Sequence, residues 1–329
     1  MARSFAETFQ KYAENDKVPV SSLKELIRSL FSDPSEESVN KVCECVTLSK
    51  NGHLSSDDFK LIWENFIQVL IKPVSAFVIV DVQNDFISGS LALSSCPAKE
   101  DGAEVVPVIN KLLDDVVFDY VFYTYDWHPH NHISFHSNLK TYKDTLLRPT
   151  PDQWESVCMF DRVQFDGRPP LEQTMWPDHC IQGSEGSKLH KDLKVIEGGL
   201  EVYKGFNPCI DSYSAFWDNG EVTSTGLLDE LKSRNVTDVY VCGLATDICV
   251  NFTATHACKH NFRVVLVEDA CRGVDLSAIS ETKQKLNDLG AIIRTSDTIA
   301  PLVKGEEFPM ELGLVAAENF RRKFANMST

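Results

Sequence analysis

Four places in this chain set a reactive side chain directly after a run that reads as a β-strand. Asp81 follows residues 76–80. Asp126-Trp-His128 follows residues 119–125. Lys204 follows residues 200–203, and Gly243-Leu-Ala-Thr-Asp-Ile-Cys249 follows residues 238–243. In an open parallel sheet, ligands bind outside the carboxyl ends of the strands. A carboxylate, an oxygen–nitrogen ligand pair, an amine and a thiol are therefore expected on one rim.

Each group suggests a task. The glycine-containing turn places Cys249 in the first turn of a helix, with Thr246 or Asp247 as cap. There the helix dipole favours the thiolate, which is the nucleophile, and unpaired N–H groups can receive an oxyanion. A buried, inert cysteine is the plainer alternative, and it is the one expected for Cys242 and Cys258. Asp81 ends an apolar strand, where an ionised carboxylate is costly unless paired. Lys204 is its natural partner: a simple ion pair, or a proton carrier (Asp81) held by an amine. Asp126 and His128 point to one face of an extended chain. His179, in Trp176-Pro-Asp-His-Cys180, can complete a three-ligand site. Histidine and carboxylate ligands with open positions suit catalytic Zn²⁺, and Fe²⁺ or Mn²⁺ also fit. His130 and His132 lie nearby in sequence, and His132 is a candidate further ligand.

The elements that position these groups alternate. From residue 76 onward, short apolar strands (76–80, 119–125, 200–203, 238–243, 263–268, 291–294) are separated by helical stretches (104–113, 226–234, from 248, 277–289). This is the pattern of an α/β fold, a mostly parallel sheet with helices on both faces. Residues 137–170 carry prolines, charges and little periodicity, and read as a long loop or insertion over the sheet edge. Residues 1–72 read as helical, with Leu23, Leu26, Ile27 and Leu30, then Phe59, Ile62, Trp63 and Phe66, at helical spacing. The division expected is residues 1–72 as a helical unit and 73–329 as the α/β unit.

The chain has 329 residues and a net charge of −16. Such an acidic balance disfavours nonspecific binding to nucleic acid or anionic membrane. No apolar run is long enough to span a bilayer, and residues 1–10 lack the apolar core of a secretory signal. Ten cysteines without an export signal point to reduced thiols in the cytoplasm, with nuclear presence left open.

Residues 76–294 resemble the nicotinamidases of the isochorismatase-like cysteine hydrolases. The resemblance is carried by Val80-Asp-Val-Gln-Asn-Asp-Phe86, Asp126-Trp-His-Pro129 with His132-Ile-Ser-Phe135, Trp176-Pro-Asp-His-Cys180, Lys204-Gly-Phe-Asn-Pro208, Asp211-Ser-Tyr-Ser-Ala-Phe216, Gly243 to Cys249 and Asp269-Ala-Cys-Arg-Gly273. It implies a triad of Cys249, Asp81 and Lys204 and a metal held by Asp126, His128 and His179. It implies an unusual peptide bond near Ala245, whose N–H joins that of Cys249 as oxyanion hole, and a flat pocket lined by Phe86, Trp176 and Tyr213. The implied reaction hydrolyses nicotinamide to nicotinate and ammonia through a cysteine thioester, in NAD salvage. Family members are often oligomeric, so homo-oligomerisation is open. The N-terminal helices resemble EF-hand-like extensions of larger members, with Gly52 at the sharp turn, Leu54 at the hydrophobic position and Asp58 at the last ligand position. Val20 is the candidate counterpart of Leu54 in a first hand. Thr47 stands where the first calcium ligand belongs, and the loop holds few carboxylates. Two other readings stay open: a related metal-dependent amidohydrolase acting on another small amide, and a calcium-responsive binding protein with an inactive hydrolase core.

Overall fold

The computed structural model describes residues 4–32, 34–48, 52–167 and 170–325. Eleven strands occur among them: β1 (Val18–Pro19), β2 (His53–Leu54), β3 (Ser75–Val80), β4 (Tyr120–Asp126), β5 (Leu146–Arg148), β6 (Arg162–Phe165), β7 (Leu171–Thr174), β8 (Leu200–Lys204), β9 (Asp238–Leu244), β10 (Arg263–Arg272) and β11 (Ile292–Arg294). Six form a sheet in the order β11-β10-β9-β3-β4-β8, with every pairing parallel. The helices Val105–Asp115, Leu227–Ser233, Asn251–Lys259 and Leu276–Asp288 connect and cover it. Its central strands are buried along their length: all of β3 and all of β9. Burial on both faces explains why they read as continuous apolar runs rather than as alternating ones. No helix among the described residues is long and apolar enough to cross a membrane.

The strand order reverses between β3 and β9. From β3 the chain steps outward through β4 to β8, and from β9 it steps the other way through β10 to β11. The loops leaving β3 and β9 therefore diverge and open a crevice at the carboxyl end of the sheet, the preferred ligand position in such folds. Gly243 lets these two strands approach. Its φ is +113°, and an added Cβ would sit 2.1 Å from the Val80 carbonyl oxygen.

The segment 137–170 is not a plain loop. It contains β5 and β6, which with β7 form a three-stranded antiparallel sheet. Leu139, Leu146, Val157, Val163 and Phe165 give it a small core, together with Ile133 and Met175. Prolines and charges mask this sheet in the sequence because its strands are only three or four residues long.

The N-terminal helices Phe5–Tyr12, Val20–Leu30, Glu36–Val46 and Ser56–Ile62 form a separate apolar cluster. The last helix, Met310–Phe324, joins it through Ala316, Ala317, Phe320 and Phe324. Strands β1 and β2 pair antiparallel, with Val18 opposite Leu54. The partner of Leu54 is thus Val18, and Val20 instead begins the following helix. Asp58 spends its carboxylate on a capping box: Oδ2 accepts from the Ser55 N–H at 2.9 Å and from its hydroxyl at 2.7 Å. The loop's Ser49, Lys50 and Asn51 lie outside the described residues.

Because Gly243 has no room for a Cβ and a φ that L-residues avoid, Gly243→Ala should destabilise the fold by about 3 kcal/mol, lowering Tm by roughly 4 °C. Calorimetric melting checks this, and an unshifted Tm would contradict the close approach.

Candidate active site

Lys204 is the last residue of β8, and its side chain is fully buried. Its Nζ lies 2.9 Å from Asp81 Oδ2, 2.9 Å from Asp126 Oδ1 and 3.4 Å from Cys249 Sγ. It also donates to the Ser212 carbonyl at 3.1 Å. Asp81 directly follows β3 in a left-handed conformation, φ +49°. Aspartate tolerates that region better than most residues. The Thr124 hydroxyl, from β4, donates to Asp81 Oδ1, and its oxygen accepts the Asp81 N–H at 3.1 Å. One carboxylate oxygen is thus anchored, and the other faces the Lys204 ammonium at 2.9 Å.

Burial sets the protonation chemistry. It pushes the Cys249 thiol well above its ordinary range, with Lys204 pulling the other way. It also raises the Asp81 carboxyl, again against Lys204. Burial works against the Lys204 charge, but Asp126 and Asp81 outweigh it and hold the amine well above its usual value. Burial thus favours the neutral thiol and the protonated carboxyl, while the ammonium beside both favours their charged forms. Cys249 lies in the first helical turn, as expected, but the cap expected from Thr246 or Asp247 is not formed. Residues Thr246–Val250 form a π-turn, with no side-chain cap. Asp247 turns away and accepts from the N–H groups of Val274 and Asp275 at 2.9 and 3.0 Å.

Beside this group, Asp126, His128 and His179 bring their ligand atoms within 4.8 Å of one another. Each histidine presents Nε2 because Nδ1 is occupied: His128 Nδ1 donates to the Gly205 carbonyl at 2.8 Å, and His179 Nδ1 to Pro177 at 2.7 Å. Carbonyl partners of this kind fix the tautomer that a metal needs. Gly205 is required here, since its Cβ would lie 2.4 Å from the His128 ring. A second grouping, His128, His132 and Asp211, adjoins the first. The Nε2 atoms of His128 and His132 are buried with no hydrogen-bond partner among the described residues. Burial, with His128 adding to it, pushes His132 down to about 3, so it stands as a neutral imidazole. Buried imidazole nitrogens converging with carboxylates, His128 Nε2 standing 3.0 Å from Asp126 Oδ2, fit a divalent cation.

The cavity above Cys249 holds about 400 Å³ of empty space including its mouth. Phe86, Trp176 and Tyr213 line it, with Leu91, Leu93, Ile248 and Val274. Ala245 also lines it, and the Leu244–Ala245 peptide bond is cis. Trp176 Nε1 donates to the Tyr213 hydroxyl at 3.3 Å, locking two walls together.

A family model for the isochorismatase domain matches residues 75–298. The chain belongs to the isochorismatase family. It is 39% identical over 203 residues to a nicotinamidase of Acinetobacter baylyi, an alignment covering 61% of this chain and 83% of that protein. The solved structure of an Acinetobacter baumanii nicotinamidase/pyrazinamidase superposes with a TM-score of 0.59 at 38% identity, covering 69% of this chain and 98% of that one. PnC1 from L. infantum, solved in complex with nicotinate, gives a TM-score of 0.54 at 33% identity, covering 69% of this chain and 94% of that one.

Within the isochorismatase domain, the residues named from the sequence as triad, metal ligands and pocket walls converge on one crevice. Several residues that hold them carried no role in the sequence reading. Gln83 donates to the Asp126 carbonyl at 2.8 Å and accepts the Asp126 N–H at 2.8 Å, clamping that peptide from both sides. Asp85 accepts the Cys180 N–H at 2.7 Å and so ties down the loop carrying His179. Gln173, from β7, donates to Asp211 at 2.9 Å and to the Tyr213 hydroxyl at 3.2 Å. The motif stretch around Asp81 contained two of these residues, Gln83 and Asp85, but a polar side chain that binds backbone has no periodic signature.

Two outcomes follow. Lys204→Met leaves the buried Asp81 carboxylate without its cation and should cost about 3–5 kcal/mol by denaturant unfolding; a variant as stable as the parent would refute the ion cluster. Because the Cys249 thiol is raised, its thiolate fraction grows with pH, and iodoacetamide labelling of the Cys249 peptide should still be climbing above about pH 9. A labelling plateau at neutral pH, read by mass spectrometry, would instead indicate a preformed thiolate.

Proposed function

We propose that this chain is a nicotinamidase, hydrolysing nicotinamide to nicotinate and ammonia and so supplying the salvage of NAD. The observation that carries the reading is the position of Lys204 Nζ, in contact with Asp81, Asp126 and Cys249 at the floor of an aromatic cavity. A flat pyridine ring suits walls made by Phe86, Trp176 and Tyr213. The likeness to nicotinamidases over the whole sheet supports the same substrate.

The chain's own groups account for the steps. Asp81 takes the thiol proton as Cys249 Sγ attacks the carboxamide carbon. Lys204 holds the carboxylate and the sulfur in register throughout. The tetrahedral oxyanion is received by the N–H groups of Ala245 and Cys249. Asp81 returns its proton to the nitrogen, the C–N bond breaks, and ammonia leaves a thioester on Cys249. Asp81, again a carboxylate, takes a proton from water as the water adds to the thioester carbonyl. The C–S bond breaks, nicotinate is released and the thiol recovers its proton.

Asp126, His128 and His179 would hold the divalent cation, Zn²⁺ by preference for this donor set, with Fe²⁺ or Mn²⁺ also compatible. When bound, it supplies a Lewis acid at the edge of the substrate cavity. The N-terminal helices are read as a structural EF-hand-like pair that binds no calcium, since Asp58 is committed to Ser55. The unit that acts is a soluble enzyme of the cytoplasm, able to form homo-oligomers.

Incubating the purified protein with nicotinamide should release ammonia and nicotinate in equal amounts, and a chelator should suppress the release. Cys249→Ala should lower turnover by at least about 10³-fold while retaining the parent's circular dichroism. Near-parental ammonia release from that variant would overturn the thiol mechanism.

A further inference from the structure

Away from the catalytic crevice, a second cavity lies where the N-terminal and C-terminal helices meet the sheet domain. It holds about 800 Å³ of empty space including its mouth. Asn65 and Lys323 come from the two helical segments, and Lys232, His260, Asn261 and Arg263 from the domain beneath. The family match runs from 75 to 298, so Asn65 and Lys323 lie outside it. This cavity is therefore built by the parts of the chain that the catalytic reading leaves unused.

Its charge runs against that of the molecule. The chain carries a net charge of −16. Yet Lys232, Lys323 and the adjoining Arg322 pair with no carboxylate among the described residues. Lys323 Nζ donates to the Asn65 side-chain oxygen at 2.8 Å and lies 5.6 Å from the Phe324 ring, and Arg322 meets the side chain of Asn261. Glu64 is the one carboxylate among the described lining residues, and Lys60 faces it at 3.9 Å. In the wall, Arg263 is 3% exposed and engages Asp238, but its Nε is buried without an acceptor among the described residues. His260 adds a donor. Trp217 Nε1 donates to its Nε2 at 3.3 Å, so the neutral ring carries its proton on Nδ1. Ammonium groups, amide N–H₂ groups and an imidazole N–H around an open cavity, with little negative charge, are the surroundings of a multiply charged oxyanion.

We propose that this junction is a binding site for a phosphate-class anion, inorganic or carried on a small metabolite, that braces the helical cluster against the catalytic domain. The site also touches the catalytic machinery. Trp217, bonded to His260, offers its carbonyl to the Ser212 hydroxyl at 3.1 Å, and the Ser212 carbonyl receives Lys204 Nζ at 3.1 Å. An anion that draws on His260 therefore acts two bonded residues away from the ammonium that holds Asp81 and Cys249.

The test titrates inorganic pyrophosphate into the full-length protein by calorimetry, in the parent and in the Lys232→Gln/Lys323→Gln double variant. Sodium chloride at matched ionic strength is the control. The expected result is saturable binding to the parent, weakened at least about 10-fold in the double variant and by added salt. A parallel titration with AMP separates the two sources: tighter binding than pyrophosphate means a nucleotide ligand, and equal or weaker binding means a free anion. Thermal melting gives a second readout, with pyrophosphate raising Tm in the parent and less in the variant. Absence of saturable heat in the parent, equal binding by parent and variant, or an equal Tm rise with chloride would overturn the proposal.

Discussion

A single buried ammonium holds the catalytic end of this sheet together. Lys204 sits at zero exposure between two carboxylates and a thiol, and each neighbour comes from a different strand end. Removing a charge of this kind from water is expensive, and a buried ion cluster adds little net stability over an apolar packing of the same volume. What the cluster supplies is position. With Lys204 in contact with both Asp81 and Asp126, the ends of β3, β4 and β8 are bound into one unit, and the π-turn after β9 lowers Cys249 onto it. Burial favours the neutral sulfur, against the pull of that ammonium.

The histidines are positioned by a different means. Backbone carbonyls of Gly205 and Pro177 take the Nδ1 protons of His128 and His179. Phe135, fully buried, packs its ring 5.5 Å from each of those imidazoles and 5.6 Å from His132. An apolar plug among three imidazoles fixes their planes and excludes water from behind. Cation affinity at such a site is then governed by the rigidity of this packing as much as by the ligands themselves.

The reactive residues were legible in the sequence because a buried parallel strand is a continuous apolar run, and a charged or thiol residue just beyond it stands out. Asp81, Asp126, Lys204 and Cys249 were visible for that reason. The supports were not. Gln83 works through two hydrogen bonds to a peptide on another strand, and nothing local marks it. Asp247 reads as a helix cap by type and position, but the loop after β10 offers it two N–H groups and wins. The strands β5, β6 and β7 are too short to show alternation. The pairing of Val18 rather than Val20 with Leu54 turns on a register shift of two residues, which leaves the side chain on the same face and so gives no signal in hydropathy. Likewise, the apolar stripe of Met310–Phe324 announces a buried face without saying which core it joins.

That last helix has a consequence for how the protein is made. Its Ala316, Ala317, Phe320 and Phe324 fill the far side of a cluster whose other members are synthesised first. During translation, the N-terminal helices emerge from the ribosome with this apolar face uncovered, and it stays uncovered until the entire sheet has followed. The nascent chain must therefore shelter the exposed face until Met310–Phe324 has followed.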